Sequence, residues 1–160
     1  MLLPLVSRYW LTSNIRRQSH VSRTEKGRRS PVPHGGLWRG NLDLADELIA
    51  PDHVSSGPGT LPGLPNGPEG QKQLIGFYRS AFPDVQFTVD DQVAEGDRVV
   101  TRWTAQGTQT GGFAGLPPTG KTATVTGVGI DRIVDGKIAE SWGIFDQFGM
   151  LQQLGAIPGQ

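Results

Sequence analysis

The sequence predicts an α+β domain in which helices come first and a meander of long antiparallel strands follows, curled into a cone-like sheet. Two amphipathic helical stretches precede residue 83, and alternating β-branched runs begin at residue 85. Helices in one block and strands in the next are the α+β pattern. The 23 glycines and 12 prolines among 160 residues supply the turns and loops of a sheet-rich chain. Long strands curl, and a curled sheet with helices across its mouth encloses a pocket.

Composition narrows the function. There is no cysteine, so disulfides, thiolate metal sites and cysteine nucleophiles are excluded. The three histidines, His20, His34 and His53, show no metal-ligand spacing, so a zinc enzyme is not expected. The formal net charge of zero hides an asymmetry. Residues 1–36 hold seven Lys/Arg and one acid, whereas the remainder is mildly acidic. It offers no basic stripe for nucleic acid. No stretch approaches the ~20 apolar residues of a membrane span. A cytoplasmic protein is expected.

Residues 1–37 look unlike the rest of the chain. Ser13 to Ser30 is rich in Arg and Ser and nearly free of acid. The segment reads as a basic disordered tail or as an artefact of start or frame assignment, and less well as a transit peptide. Residues 38–160 read as the domain.

Within it, Asn41 is placed to cap a helix over 42–49, which Pro51 ends. Residues 51–67 carry so many prolines and glycines that they read as one long loop, with His53 at its start. Pro68 suits the first turn of a helix over 68–82, with Leu74, Phe77, Tyr78, Ala81 and Phe82 as its buried stripe. Strands are expected over 85–95, 98–110, 121–134 and 138–146. Gly96 and Asp135-Gly136 supply the hairpin turns, and a Gly/Pro loop spans 111–120. A short helix over 147–154 closes the chain.

Chemistry concentrates in the last strand. Strict alternation puts Ile138, Glu140, Trp142, Ile144 and Asp146 on one face. A carboxylate set beside Trp and Ile loses hydration, which favours its neutral form, and general acid–base catalysis needs such a group. The competing reading makes Asp146 the cap of the following helix. The faces bearing Trp103 and Trp142 are the expected inner wall. Glu140 is either a second site carboxylate or the partner of Arg102 or Arg132. His53 is structural, or lines the site.

Three runs carry a family resemblance. They are A-E-G-D-R-V-V-T-R-W-T-A-Q-G-T-Q-T-G-G-F-A-G-L-P-P-T-G-K, D-G-K-I-A-E-S-W and D-Q-F-G-M-L-Q-Q-L-G. Together with N-L-D-L-A-D-E-L-I-A-P-D and G-P-E-G, they resemble the SnoaL-like polyketide cyclases, or ester cyclases, of the nuclear-transport-factor-2-like superfamily. The resemblance covers roughly residues 38–157. It implies a cone-shaped α+β fold, a homodimer, a small hydrophobic partner molecule and no cofactor. It also implies ring closure of a polyketide ester by intramolecular aldol condensation, with Asp146 as the acid–base residue.

Trp103, Trp142, Gln109, Glu140 and His53 are the expected substrate-binding residues. Two departures stand out. Many relatives carry histidine where this chain has Ser56 and Gln109, which bond a carbonyl but cannot shuttle protons at neutral pH. An amphipathic helix usual before W-x-G-N-L-D is missing, because Arg28 to Leu37 contains Pro31, Pro33 and two glycines. A frame slip would account for this. A non-catalytic module that binds a small molecule, and a domain with a collapsed pocket, stand beside the enzyme reading.

Overall fold

The computed structural model describes residues 34–158. Its elements are α1 (His34–Trp38), α2 (Leu44–Leu48), β1 (Ile49–Ser56), α3 (Gly67–Ala81), β2 (Gln86–Glu95), β3 (Arg98–Thr108), β4 (Thr122–Val134), β5 (Lys137–Phe145) and α4 (Gln147–Leu154). The expectation for residues 1–37 falls largely outside the described residues. Where it can be followed, it is corrected. His34–Trp38 forms a short helix despite its two glycines, and Leu37 is among the most buried side chains.

The five strands form one sheet in the order β1-β5-β4-β3-β2. β2 to β5 are the antiparallel meander that the alternation predicts. Asp135 and Gly136 both take positive φ, 49° and 77°, as the two-residue turn between β4 and β5 requires. The sheet is not wholly antiparallel. β1 runs parallel to β5, pairing Ser55 with Ser141 and Ser56 with Trp142. Residues 49–56, expected to end a helix and begin a loop, are thus a strand. Pro51 is tolerated because β1 is an edge strand, where a missing N–H donor costs no ladder bond. The helix before it shrinks to Leu44–Leu48, and Asp43 rather than Asn41 sits at its N-cap position without a side-chain cap.

Bulges curve the sheet. Val89 pairs with Trp103 and Asp91 with Arg102, leaving Asp90 as the extra residue of β2. On β5, Ile138 faces Ile133 and Glu140 faces Arg132, so Ala139 is extra. An extra residue bends the strand and breaks the alternation of its faces. The curved sheet packs on α3, whose Leu74 and Ile75 are buried.

Two core clusters result. The first joins Leu37, Ala45, Ile49, Ile75, Val99 and Ile138. The second joins Ala81, Phe82, Phe113, Ala123, Met150 and Leu154. Phe113 comes from the Gly/Pro loop and lies 5.5 Å from the ring centres of Phe77 and Phe82. Burying one such side chain contributes about 1.5–3 kcal/mol. The loop is held down as well by Thr110 and Gly111 N–H groups donating to Ala81 O.

Candidate active site

Between the two clusters lies a cavity of about 180 Å³. Its inner wall follows from strand register. Trp103 faces Gly127, and Gly127 faces Phe145; Thr101 faces Gly129, and Gly129 faces Gly143; Val99 faces Asp131, and Asp131 faces Ser141. A Cβ on Gly127 would fall 2.7 Å from Trp103 Cε2, so only glycine there lets the indole lie across β4. Trp103 also packs on Phe87, with ring centres 4.9 Å apart. Trp38, Leu74, Tyr78 and Phe82 close the opposite side. The burial of Tyr78 pushes its phenol above the ordinary value.

Among the described residues, one carboxylate lines this largely apolar space, that of Asp131 on β4, which is 3% exposed. Its Oδ1 accepts from Ser141 Oγ at 2.7 Å. The Ser141 oxygen is 3.0 Å from Nε2 of His53, itself buried. Serine has one hydroxyl proton, and Asp131 takes it, so Nε2 of His53 must donate to Ser141. Burial lowers the His53 pKa below the ordinary histidine value, against the opposing pull of Asp131 and Asp52. At neutral pH the chain therefore runs from a neutral imidazole through a hydroxyl to a carboxylate.

The residues singled out from sequence distribute unevenly. Trp103 lies on the inner wall. His53 lies behind Ser141 and borders a second chamber, under the loop 57–66. Trp142 is 41% exposed, and by register its side chain shares the outer face with Ile144, although both residues still border the cavity. The expected inner wall is corrected at this point. Strict alternation carries the buried parity of Ile138 on to Trp142, but the bulge at Ala139 reverses it, and Ser141, Gly143 and Phe145 turn inward instead.

Asp146 is exposed and does not line the cavity; its Oδ1 accepts from Gly149 N–H at 2.8 Å, capping α4. The expected dry, tryptophan-walled setting for Asp146 is overturned. Glu140 is exposed and paired with Arg132 at 2.6 Å, which holds its carboxyl below the ordinary value. Gln109 is fully buried, but its amide is spent on the Gly/Pro loop. It donates to Gly111 O and Pro117 O and accepts from Thr119 Oγ1 at 2.7 Å. It is a staple, outside the cavity wall.

Sequence reasoning missed Asp131, Ser141 and Gln71. A signal for Asp131 was present, because it shares the parity of Ala123 and Val125 in an otherwise β-branched strand. A lone acid on an apolar face is a flag for a built site. Among the described residues, no three His, Cys, Asp or Glu side chains converge closely enough to hold a metal ion. No helix there is long and apolar enough to cross a membrane.

A curved α+β sheet with a single carboxylate in its apolar hollow defines a class of small cavity-bearing proteins. The chain belongs to the SnoaL-like polyketide cyclase family, whose sequence pattern matches residues 36–154. It is 35% identical over 118 residues to nogalonic acid methyl ester cyclase of Streptomyces nogalater, covering 72% of this chain and 87% of that one. IdmH from Streptomyces antibioticus superposes with a TM-score of 0.68 at 39% identity, over 79% of this chain and 99% of its own. TsrD from Streptomyces laurentii gives 0.69 at 26% identity, over 98% and 100%.

Proposed function

We propose that the protein is a cofactor-independent cyclase acting on a hydrophobic, polyketide-like carbonyl substrate by intramolecular aldol closure. Asp131 is its acid–base residue, in place of Asp146. The observation that carries this reading is that Asp131 is, among the described residues, the one carboxylate lining the apolar cavity. Its carboxylate removes a proton from the carbon beside a carbonyl. The resulting enolate carbon bonds to a second carbonyl carbon of the same molecule. The proton then passes from Asp131 to the new alkoxide, which restores the carboxylate. Ser141 orients Asp131, and neutral His53 orients Ser141. The aromatic wall of Trp103, Phe87 and Phe145 folds the substrate so that its two carbons meet. Family membership and the similarity to a methyl ester cyclase support the substrate class.

The test compares wild type, Asp131→Asn and Asp146→Asn on a panel of polyketide-like methyl esters. Loss of one well-placed acid–base group costs roughly 10²–10⁴ in rate. That loss is expected for Asp131→Asn, with Asp146→Asn near wild type. Undiminished turnover by Asp131→Asn would remove it from the mechanism.

The working unit is proposed to be a homodimer joined through the outer sheet face. Register sets Val93, Val100, Ile130 and Trp142 in one row across four strands. Val93, Val100 and Trp142 are exposed, as is Ile144 beside them. A band that is apolar across a sheet face suits a self-complementary two-fold contact.

A further inference from the structure

The second chamber, of about 380 Å³, meets the main cavity at three residues common to both walls, Ser55, Thr60 and Gln71. Ser55 and Thr60 are occupied with each other, their hydroxyl oxygens 3.1 Å apart, and Thr60 donates to Ser56 O. Gln71 differs. It is 9% exposed, and its Oε1 is the one buried side-chain nitrogen or oxygen among the described residues with no hydrogen-bond partner. An orphaned buried acceptor costs free energy on folding, so it persists where something other than folding uses it.

The charge of the surroundings fixes what could use it. Among the described residues, neither chamber has a Lys or Arg in its wall, and Asp131 is the one acidic group. An anionic ligand would find no counter-charge and one like charge. A neutral donor fits both the acceptor and the field.

We propose that Gln71 is a specificity-determining residue that takes a hydrogen bond from a hydroxyl of the substrate at the junction of the two chambers, so that the apolar ring system lies in the main cavity and its hydroxyl-bearing end points under the loop 57–66. The proposal deepens the cyclase reading and rests on it for the substrate class. It assigns the junction a readout of hydroxyl position. Substrates that lack the hydroxyl leave Oε1 unpaired and are discriminated against.

Two probes that differ in one hydroxyl test it without turnover. The affinities of 2-naphthalenemethanol and 2-methylnaphthalene are measured by quenching of tryptophan fluorescence, to which Trp103 in the cavity wall contributes. The ratio of the two affinities should shift against the alcohol by about three- to tenfold in Gln71→Leu, the worth of one neutral hydrogen bond. Gln71→Met, which keeps the length without the acceptor, should do the same. Both variants should melt no lower than wild type, because an unpaired buried acceptor is removed. An unchanged ratio, binding of neither probe, or a lowered melting temperature in both variants overturns the proposal. Asp131→Asn should keep the wild-type ratio whatever its turnover, so failure here and failure of the acid–base reading are told apart.

Discussion

Ser141 on β5 donates its only hydroxyl proton to Asp131 on β4, 2.7 Å away across the antiparallel pair. The carboxylate is thereby fixed relative to the cavity floor, and the serine is left as an acceptor toward His53.

Ser141→Ala should therefore act twice. It strands the buried Nε2–H of His53, which costs about 1–3 kcal/mol of stability in urea denaturation. It also removes one of the hydrogen bonds that orient Asp131, so turnover should fall more than substrate affinity does. Ser141→Thr, which keeps the hydroxyl, should recover part of both. A variant that unfolds earlier yet keeps full kcat would restrict Ser141 to structure.

His53 gives the fold a pH dependence of known sign. Its folded-state pKa is lowered by burial, so the unfolded chain binds the proton more readily. Stability contributed by neutral His53 is complete above the ordinary histidine value of ~6.5 and drains away as pH falls below it. The slope is at most about 1.4 kcal/mol per pH unit, for one proton. The Arg132–Glu140 pair acts elsewhere. The Glu140 pKa is depressed by Arg132, so its contribution is present above the ordinary glutamate value and is lost below it. Denaturation midpoints between pH 5 and 7.5 should drop on the acid side for wild type and stay flatter for His53→Gln. Parallel curves would mean that His53 titrates alike in both states.

Gly129 and Gly143 face each other on the cavity floor, and a Cβ built on either meets no atom nearer than 3.9 Å. Neither takes a positive φ, so the backbone accepts any residue there. Strand glycines cost roughly 0.5–1 kcal/mol relative to alanine, and these two are kept where side chains would fill the cavity. Gly143→Ala should raise the melting temperature by a few degrees. Gly143→Ile should be well folded and lose turnover of a polycyclic ester at least tenfold, mostly through KM. Full activity in the isoleucine variant would place the substrate somewhere else.

Local signals made much of this fold legible. Pro68 and the spacing of Leu74, Phe77 and Tyr78 announce α3 to within one residue, and Asp135-Gly136 fixes the last hairpin. Two features were not legible. β1 exists because β5 offers an edge across some ninety residues, and its own sequence, with a central proline, does not ask for a strand. The bulge at Ala139 has no side-chain signature, yet it decides which half of β5 faces the cavity. The assignment of Asp146, Glu140 and Trp142 to an inner wall turned on that one inserted residue. Gln109 was misplaced for a related reason, because composition cannot say that a loop will consume an amide on both of its ends. Trp103 was placed on the inner wall because β3 keeps its alternation unbroken from Val99 to Ala105.

The same bulge that turned the Trp142 side chain to the outer face put it where a second copy can meet it. Trp142 and Ile144 stand beside Val128 and Ile130 of β4, and Val100 continues the band on β3. Arg102 interrupts its far side but is neutralised by Asp90 at 3.1 Å. Charges placed in such a band on both copies meet across the two-fold axis, uncompensated and desolvated. Trp142→Glu combined with Ile144→Lys would pair within one copy and blur the result. Trp142→Glu with Ile144→Glu is the cleaner variant. Sedimentation at micromolar concentration should show a dimer for wild type and a monomer for the double variant. Circular dichroism should be unchanged, because both side chains are already solvent-exposed in a single chain. A wild-type monomer, or a double variant that still dimerises, would take the contact off this face. If the interface is right, the cavity on the opposite side of the sheet should keep its affinity for the naphthalene probes in the monomeric variant.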